Sequence, residues 1–156
     1  MTTIGIIPQA RPTSTRLPGK VLLEAGGRTI LDHHIRRAEQ SGIPVIVATT
    51  TNPTDDAIVV EAERLGARVF RGSEHDVLSR FAGAVREFSL DTVVRITSDC
   101  PLIDGHLIRT GVDRFLEIGD GDAYVSNVIE RTFPRGFDFE VFSAAWHRIT
   151  TTGIHG

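Results

Sequence analysis

Four short apolar runs, each followed by a helical pattern, constrain the fold of this chain more than any other feature. The runs occupy residues 4–7, 45–48, 69–70 and 92–96. Short runs without polar alternation are typical of strands that are buried on both faces. Because a helical pattern follows each run, we predict an α/β domain with a largely parallel sheet covered by helices on both faces.

Polar residues mark where the predicted helices begin. Capping boxes at 29–32 and 73–76 place a hydroxyl and a carboxylate at two helix starts. Asp55 and Asp56 lie in the first turn of another helix, and Asp104 caps the last one. The side chains expected to face the core from the third helix are Val77, Leu78, Phe81, Val85 and Phe88.

The pattern changes near the C-terminus. Residues 135–142 alternate apolar and polar side chains with period two. This alternation predicts a half-exposed strand, antiparallel to its neighbour or part of a hairpin. A length of 156 residues is typical of one domain, so we predict a single domain over residues 1–156.

The composition argues against several classes of protein. The chain has 17 Lys and Arg against 20 Asp and Glu, a net charge of -3, which does not support nucleic-acid binding. No apolar stretch approaches the roughly 20 residues of a membrane span, and no basic segment of a signal peptide precedes residue 4. The single cysteine, Cys100, suits a reducing compartment. We therefore expect a cytoplasmic protein with neither nucleic acid nor membrane as a partner.

Two polar loops follow the first and fourth predicted strands. The loop over 9–20 carries Arg11, Arg16 and Lys20, and the segment over 97–101 carries Asp99. In an open parallel sheet, ligands bind beyond the carboxyl ends of the strands, where both loops should lie. Cations bind phosphate oxygens and an aspartate can hold Mg²⁺, so the two loops together predict a site for a metal-bound polyphosphate.

Several familiar motifs are missing from the sequence. Gly19-Lys20 is followed by Val21 rather than by the Ser or Thr of a Walker loop, and no Gly-x-Gly-x-x-Gly fingerprint occurs. The histidines do not have zinc-binding spacing, and no nucleophile elbow is present. The sequence therefore disfavours a P-loop NTPase, a dinucleotide-dependent dehydrogenase, a zinc site and an α/β-hydrolase.

Other polar residues have structural explanations that we favour over functional ones. Arg95 is expected to form a structural ion pair rather than to contact substrate, and 120–122 to form a turn rather than a metal site. Cys100 is expected to be a small buried residue rather than a nucleophile. His33 and His34 fall within a helix and are expected to face solvent or the sheet edge.

Four ordered segments resemble the motifs of one enzyme family. They read IIPQARPTSTRLPGKVL, FRGSEHDVLSRF, VVRITSDCPLID and YVSNVIERTFPRGFDFEVF. Together they resemble the spore-coat polysaccharide cytidylyltransferases, which are similar to the acylneuraminate and 3-deoxy-manno-octulosonate cytidylyltransferases. The resemblance implies a three-layer, GT-A-like and Rossmann-like nucleotidyltransferase fold. It also implies transfer of CMP from CTP to a sugar acid for surface or spore-coat polysaccharide synthesis, with Mg²⁺ as cofactor and a homodimer as assembly.

The resemblance also assigns roles to individual residues. Arg11, Arg16 and Lys20 would cradle the triphosphate, with Ala10 and Arg11 beside the base. Asp99 would be the metal ligand and, with Arg16 and Lys20, would form the catalytic group. Four further residues would lie near the base edge: Thr49, Arg71, Ser73 and Asp76. Arg135 and Asp138 would belong to the acceptor side or to a dimer arm.

The sequence departs from the family pattern at three places. Thr13 and Ser98 stand where the family has glycine, and the family's C-terminal segment with a second acidic metal ligand does not follow residue 145. We therefore expect the domain to lack that segment. Two alternatives stay open: a catalytically silent nucleotide-binding or dimerisation module, and a sugar-1-phosphate nucleotidyltransferase.

Overall fold

A six-stranded sheet forms the centre of the part of the chain that the computed structural model describes, residues 1–9, 19–98 and 100–145. Its strands are β1 (Ile4–Gln9), β4 (Ile46–Thr50), β5 (Arg68–Gly72), β6 (Thr92–Thr97), β7 (Tyr124–Ser126) and β8 (Glu140–Ser143). A separate two-stranded hairpin joins β2 (Glu24–Ala25) to β3 (Arg28–Thr29). The sheet order is β5-β4-β1-β6-β8-β7. The first four of these strands are parallel, and β8 runs antiparallel to both β6 and β7.

Helices cover both faces of this sheet. They are α1 (Ile30–Glu39), α2 (Asp56–Arg64), α3 (Val77–Glu87) and α4 (Gly105–Ile118), with short 3-10 helices at Lys20–Leu22 and Pro53–Asp55. Side chains of α1, α2 and α4 share one core cluster with Ile6 and Val47. Side chains of α3 share a second cluster with Ile7 and Ile46. The predicted three-layer α/β/α fold is confirmed.

The two core clusters explain why the strand sequences are continuously apolar. Successive side chains of a strand point to opposite faces, so Ile6 and Ile7 enter different clusters, as do Val93 and Val94. All five residues of β4 are buried. The apolar residues of the central strands therefore have a helix layer to pack against on each side of the sheet.

Two of the three predicted caps are confirmed. Thr29 Oγ1 accepts a hydrogen bond from Asp32 N at 2.9 Å, and Asp104 Oδ1 accepts one from Leu107 N at 3.0 Å. The capping box at 73–76 is wrong, because Ser73 Oγ accepts from Asp76 N at 3.0 Å in a turn that precedes the helix. Asp76 is the N-cap of α3 and accepts from Ser79 N at 2.8 Å. Leu78, expected in the core, is exposed.

The antiparallel strand near the C-terminus is confirmed, but it begins five residues later than predicted, at Glu140 rather than 135. Asn127 explains the difference. Its Nδ2 donates to Phe137 O at 2.8 Å, and its Oδ1 accepts from Phe139 N at 3.0 Å. A side chain thus takes the main-chain hydrogen bonds that a neighbouring strand would otherwise supply.

The sheet register brings together the strand ends from which the two predicted ligand loops leave. Gln9, the last residue of β1, pairs with Thr97, the last residue of β6, and also with Ala48 of β4. The connection after β1 leads to β4 on one side, and the connection after β6 leads to β7 on the other side. The boundary between β1 and β6 is therefore the switch point where α/β sheets open a crevice. The loops after β1 and β6 therefore leave adjacent central strands at the same edge. No helix in the described residues is long and apolar enough to span a membrane.

Candidate functional site

Of the predicted phosphate-binding loop over 9–20, the structure describes only the two ends, Gln9 and residues 19–20. Ala10, Arg11 and Arg16 lie outside the described residues, as does Asp99. Gly19 has a φ of 69°, a left-handed conformation that favours glycine, and Lys20 follows as the first residue of the 3-10 helix. Val21 is buried in the core and anchors this helix. The structure therefore holds the main chain of Lys20 in a defined turn that leads from the loop to β2.

A buried carboxylate organises the segment that follows β4. Asp55 Oδ2 accepts hydrogen bonds from Thr49 Oγ1 at 2.5 Å, Thr50 N at 2.8 Å and Thr50 Oγ1 at 2.8 Å. Thr49 and Asp55 are both fully buried. The hydroxyl of Thr49, predicted near the base edge, thus supports the loop in this structure, and its contact with a nucleotide stays a prediction.

Arg71 clamps the same segment from the next strand. Its Nε donates to Thr50 O at 2.9 Å, and its Nη2 donates to Asn52 O at 2.9 Å. Its Nη1 lies 2.7 Å from Asp56 Oδ1. All three guanidinium nitrogens therefore fix the loop over 50–56 at the carboxyl ends of β4 and β5.

The loop between β5 and α3 joins this arrangement. Asn52 Nδ2 donates to Glu74 Oε2 at 3.0 Å, which links the two loops directly. Arg80, buried on α3, donates from Nη1 to Ser73 O at 2.6 Å. Ser73 and Asp76 are exposed at this edge. The structure thus brings together the four residues predicted near the base edge, while their ligand contacts stay predictions.

Sequence reasoning missed the side chains that support the loop after β6. His34 is fully buried and its Nδ1 lies 2.9 Å from Cys100 O, so the prediction that it faces solvent or the sheet edge is wrong. Arg37 Nε donates to Ile103 O at 2.7 Å. His34 lies on the apolar stripe of α1, three residues after Leu31 and four before Ala38, and that spacing was the available signal. Cys100 itself is partly exposed rather than buried.

A groove of about 470 Å³ lies beside the carboxyl end of β6. Its lining combines four apolar side chains with a hydroxyl and two ion pairs: Val77, Ile96, Val128, Phe139, Thr97, Arg95–Glu140 and Arg131–Asp138. Asp138, predicted on the acceptor side, therefore lies in the groove, where its Oδ1 is 2.9 Å from Arg131 Nη1. Arg135 is exposed outside this lining.

The inner ion pair of the groove is part of a network across three strands. Glu140 accepts from Arg95 Nε and, at 2.6 Å, from the Tyr124 hydroxyl. Burial raises the pKa of Glu140, but these two hydrogen bonds lower it more, so its pKa lies below the usual range. Burial and the bond to Glu140 raise the pKa of Tyr124 to about 12. The predicted ion pair of Arg95 is confirmed.

Two further predictions concern metal-binding patterns. Asp120 Oδ1 accepts from Asp122 N at 2.9 Å, which confirms the turn at 120–122. Within the described residues, no three His, Cys, Asp or Glu side chains lie close enough together to hold a metal ion. These residues alone do not supply a complete ligand set for Mg²⁺, and Asp99 remains the predicted ligand.

Comparison with known proteins is consistent with this arrangement. Residues 4–136 match the family model described as Cytidylyltransferase. The spore coat polysaccharide biosynthesis protein SpsF of Bacillus subtilis is 35% identical over 150 residues, which cover 92% of this chain and 60% of that protein. An uncharacterized protein of Methanocaldococcus jannaschii is 43% identical over 148 residues, 94% of this chain and 60% of that one. The chain thus spans about 60% of the length of these curated relatives.

Two solved structures share the fold. The structure of a cytidylyltransferase from Leptospira borgpetersenii superposes with a TM-score of 0.90 at 35% identity, covering 100% of this chain and 66% of that one. A CMP-2-keto-3-deoxy-manno-octonic acid synthetase complexed with CTP superposes with a TM-score of 0.71 at 18% identity, covering 99% and 80%, which shows the fold alone. With 133 of its 156 residues matched by the family model and this fold, the chain belongs to the cytidylyltransferase family.

Proposed function

We propose that this chain carries the nucleotide-binding part of an enzyme that transfers CMP from CTP to a sugar acid and releases pyrophosphate. The pairing of Gln9 with Thr97 carries the proposal, because it sends the cationic loop and the loop of Asp99 from adjacent strands at one edge. Family membership and the fold shared with a CTP complex support CTP as the nucleotide.

The chemistry of this transfer relies on positioning and on neutralising charge. A hydroxyl of the acceptor sugar attacks the α-phosphorus in line, and pyrophosphate leaves with the electron pair of the broken bond. Arg11, Arg16 and Lys20 would bind the phosphates, and Lys20 and Arg16 would stabilise the leaving group. Mg²⁺ held by Asp99 would neutralise phosphate charge when it is bound.

The groove beside β6 is the proposed acceptor site. Its apolar side chains suit the carbon faces of a sugar, and its charged groups can exchange hydrogen bonds with sugar hydroxyls. The printed name of the Bacillus subtilis relative supports a role in polysaccharide synthesis. Asp138 belongs to this acceptor side in the proposal, and Arg135 to the acceptor side or to a dimer arm.

We also propose a cytoplasmic homodimer. Ile129 and Phe133 are exposed apolar side chains on the segment between β7 and β8, and such residues are enriched where a partner subunit covers a surface. Sedimentation at several protein concentrations tests the dimer. A single species with the mass of one chain at all concentrations would contradict it.

Calorimetry of nucleotide binding tests the proposed function. We expect CTP to bind more tightly than ATP, GTP or UTP, with binding strengthened by Mg²⁺ and weakened in Asp99→Ala. Pyrophosphate release with 3-deoxy-manno-octulosonate or N-acetylneuraminate as acceptor then tests transfer. CTP binding without turnover on either acid would favour the catalytically silent nucleotide-binding module. Turnover only with a sugar 1-phosphate would favour a sugar-1-phosphate nucleotidyltransferase.

A further inference from the structure

Two adjacent histidines in the N-terminal half of α1 contact two different segments, the β2–β3 hairpin and the loop after β6. His33 Nε2 lies 2.7 Å from Ala25 O, in the hairpin that follows Lys20. His34 Nδ1 lies 2.9 Å from Cys100 O, in the loop that follows β6. Because a carbonyl oxygen can only accept, His33 donates from Nε2 and His34 donates from Nδ1.

One further hydrogen bond strengthens each of the two connections. Ile30 N, the first residue of α1, donates to Leu23 O at 2.9 Å, which holds the segment between Lys20 and the hairpin. On the other side, Arg37 Nε donates to Ile103 O at 2.7 Å. The two carbonyls of Cys100 and Ile103 thus bind successive turns of the same helix.

The loop after β6 has a compact shape that these contacts hold against α1. Cys100 N donates to Thr97 O at 3.3 Å, and Ile103 N donates to Cys100 O at 3.2 Å. Gly105 follows, and a side chain there would lie 2.4 Å from Arg37 O. The loop and the start of α4 are therefore pressed directly against α1.

We propose that His33 and His34 are positioning residues that tie two segments to one helix, the β2–β3 hairpin that follows Lys20 and the loop that follows β6. The sheet register brings the ends of β1 and β6 together, but it does not fix the segments beyond them. Among the described residues, α1 contacts both segments through side chains, His33 at Ala25 O and His34 at Cys100 O. The effect of these contacts on nucleotide binding rests on the proposed function. The positioning of the two segments by α1 does not depend on it.

The two donor atoms allow a test with matched variants. An asparagine places its amide nitrogen near the position of a histidine Nδ1, and a glutamine places it near Nε2. His34→Asn and His33→Gln should therefore keep the bonds, whereas His34→Gln and His33→Asn should lose them. Each variant that loses its hydrogen bond has the same polar amide group as its matched control.

Hydrogen exchange of the two segments gives a readout that does not depend on any activity. We expect His34→Gln to speed exchange in residues 97–103 by about 5-fold or more, the factor for losing one buried hydrogen bond, and to leave residues 19–29 unchanged. His33→Asn should do the reverse. The single cysteine adds a second readout, because labelling of the Cys100 thiol should accelerate in His34→Gln and not in His34→Asn.

The outcomes separate positioning from simple destabilisation. If each lossy variant loosens only its own loop, the proposal holds. If both variants speed exchange equally in both segments, the substitutions destabilise α1 as a whole. If neither variant changes exchange or labelling, the histidines do not hold the segments. Either result overturns the proposal. Should a variant unfold, the same comparison is made with Arg37→Met, which removes the bond to Ile103 O.

The catalytic consequence is measured separately. His33→Asn should weaken the affinity for CTP several-fold relative to the wild-type protein, while His33→Gln should keep the wild-type affinity. If the wild-type protein binds no CTP, the proposed function fails while the exchange data still decide the positioning role. If CTP binds equally to both His33 variants despite a loosened hairpin, the connection has no part in nucleotide binding and that step of the inference is overturned.

Discussion

Replacing Asp55 by asparagine is expected to lower the free energy of unfolding by about 3 kcal/mol. Asp55 Oδ2 accepts three hydrogen bonds, two from the main chain and hydroxyl of Thr50 and one from the hydroxyl of Thr49. An asparagine carbonyl oxygen can take the place of Oδ2, but it is neutral. Each of the three bonds then loses its charge assistance, about 1 kcal/mol each, which gives about 3 kcal/mol in total.

The adjacent Asp56 provides the matched control. Its side chain is 62% exposed, and it pairs with the partly exposed Arg71. Exposed ion pairs contribute about 0–1 kcal/mol, so Asp56→Asn should change the stability by less than 1 kcal/mol. The same chemical substitution at neighbouring positions thus separates a buried acceptor from a solvated charge.

Urea unfolding at pH 7, followed by circular dichroism, measures both variants. The slope of the free energy against urea should stay constant, because neither change alters the surface exposed on unfolding. Calorimetry with CTP should also show weaker binding in Asp55→Asn, since the loop over 50–56 loses its anchor. Equal stability of the two variants would refute the assignment of Asp55 as the organising group of this loop.

Three further perturbations have expected outcomes. Asp32→Asn should destabilise the protein by about 2 kcal/mol at pH 7. Burial raises the pKa of Asp32, but hydrogen bonds from Arg36 and Arg64 lower it more, below its ordinary value of 3.8. Because the pKa is lower in the folded state, the Asp32 carboxylate stabilises the protein at pH values above 3.8, and this stability is lost as the pH falls through the folded-state pKa. The urea midpoints of the variant and the wild type should therefore converge in acid. Gly105→Ala should lower the midpoint of thermal unfolding, because overpacking against α1 costs about 1–3 kcal/mol and exceeds the gain of about 1 kcal/mol in helix propensity. Lys20→Ala should reduce kcat/KM by about 30- to 1000-fold, or about 2–4 kcal/mol, and unchanged turnover in a pyrophosphate assay would exclude its role at the leaving group.

The fold was predictable because its strongest signals are local. An apolar run such as 45–48 must be buried on both faces, and the structure supplies a helix layer on each side. The caps at Thr29 and Asp104 involve residues three positions apart, which a sequence displays directly. The start of β8 was not predictable in this way, because Asn127 competes for its main-chain groups from ten or more residues away.

The site was predictable at the level of its loops and less so at the level of side chains. The family motifs and the rule for parallel sheets identified the edge from which the loops after β1 and β6 leave. The partner of His34 is 66 residues distant, at a carbonyl group that every residue type carries. Since main-chain acceptors leave no pattern in a sequence, the residues that hold the loop after β6 could be assigned only from the structure.

Thr49 and Arg71 show why residue type alone does not separate a ligand contact from loop support. Hydroxyl and guanidinium groups bind phosphates and bases, but a loop at the end of a buried strand also needs donors for its own carbonyls. Arg71 supplies them to the carbonyls of Thr50 and Asn52, and the Thr49 hydroxyl donates to the Asp55 carboxylate. The loop is therefore shaped by its own side chains, which would reduce the entropy lost if the proposed nucleotide binds here. Such residues can govern affinity through the shape of the loop without touching the nucleotide, since both roles draw on the same donors.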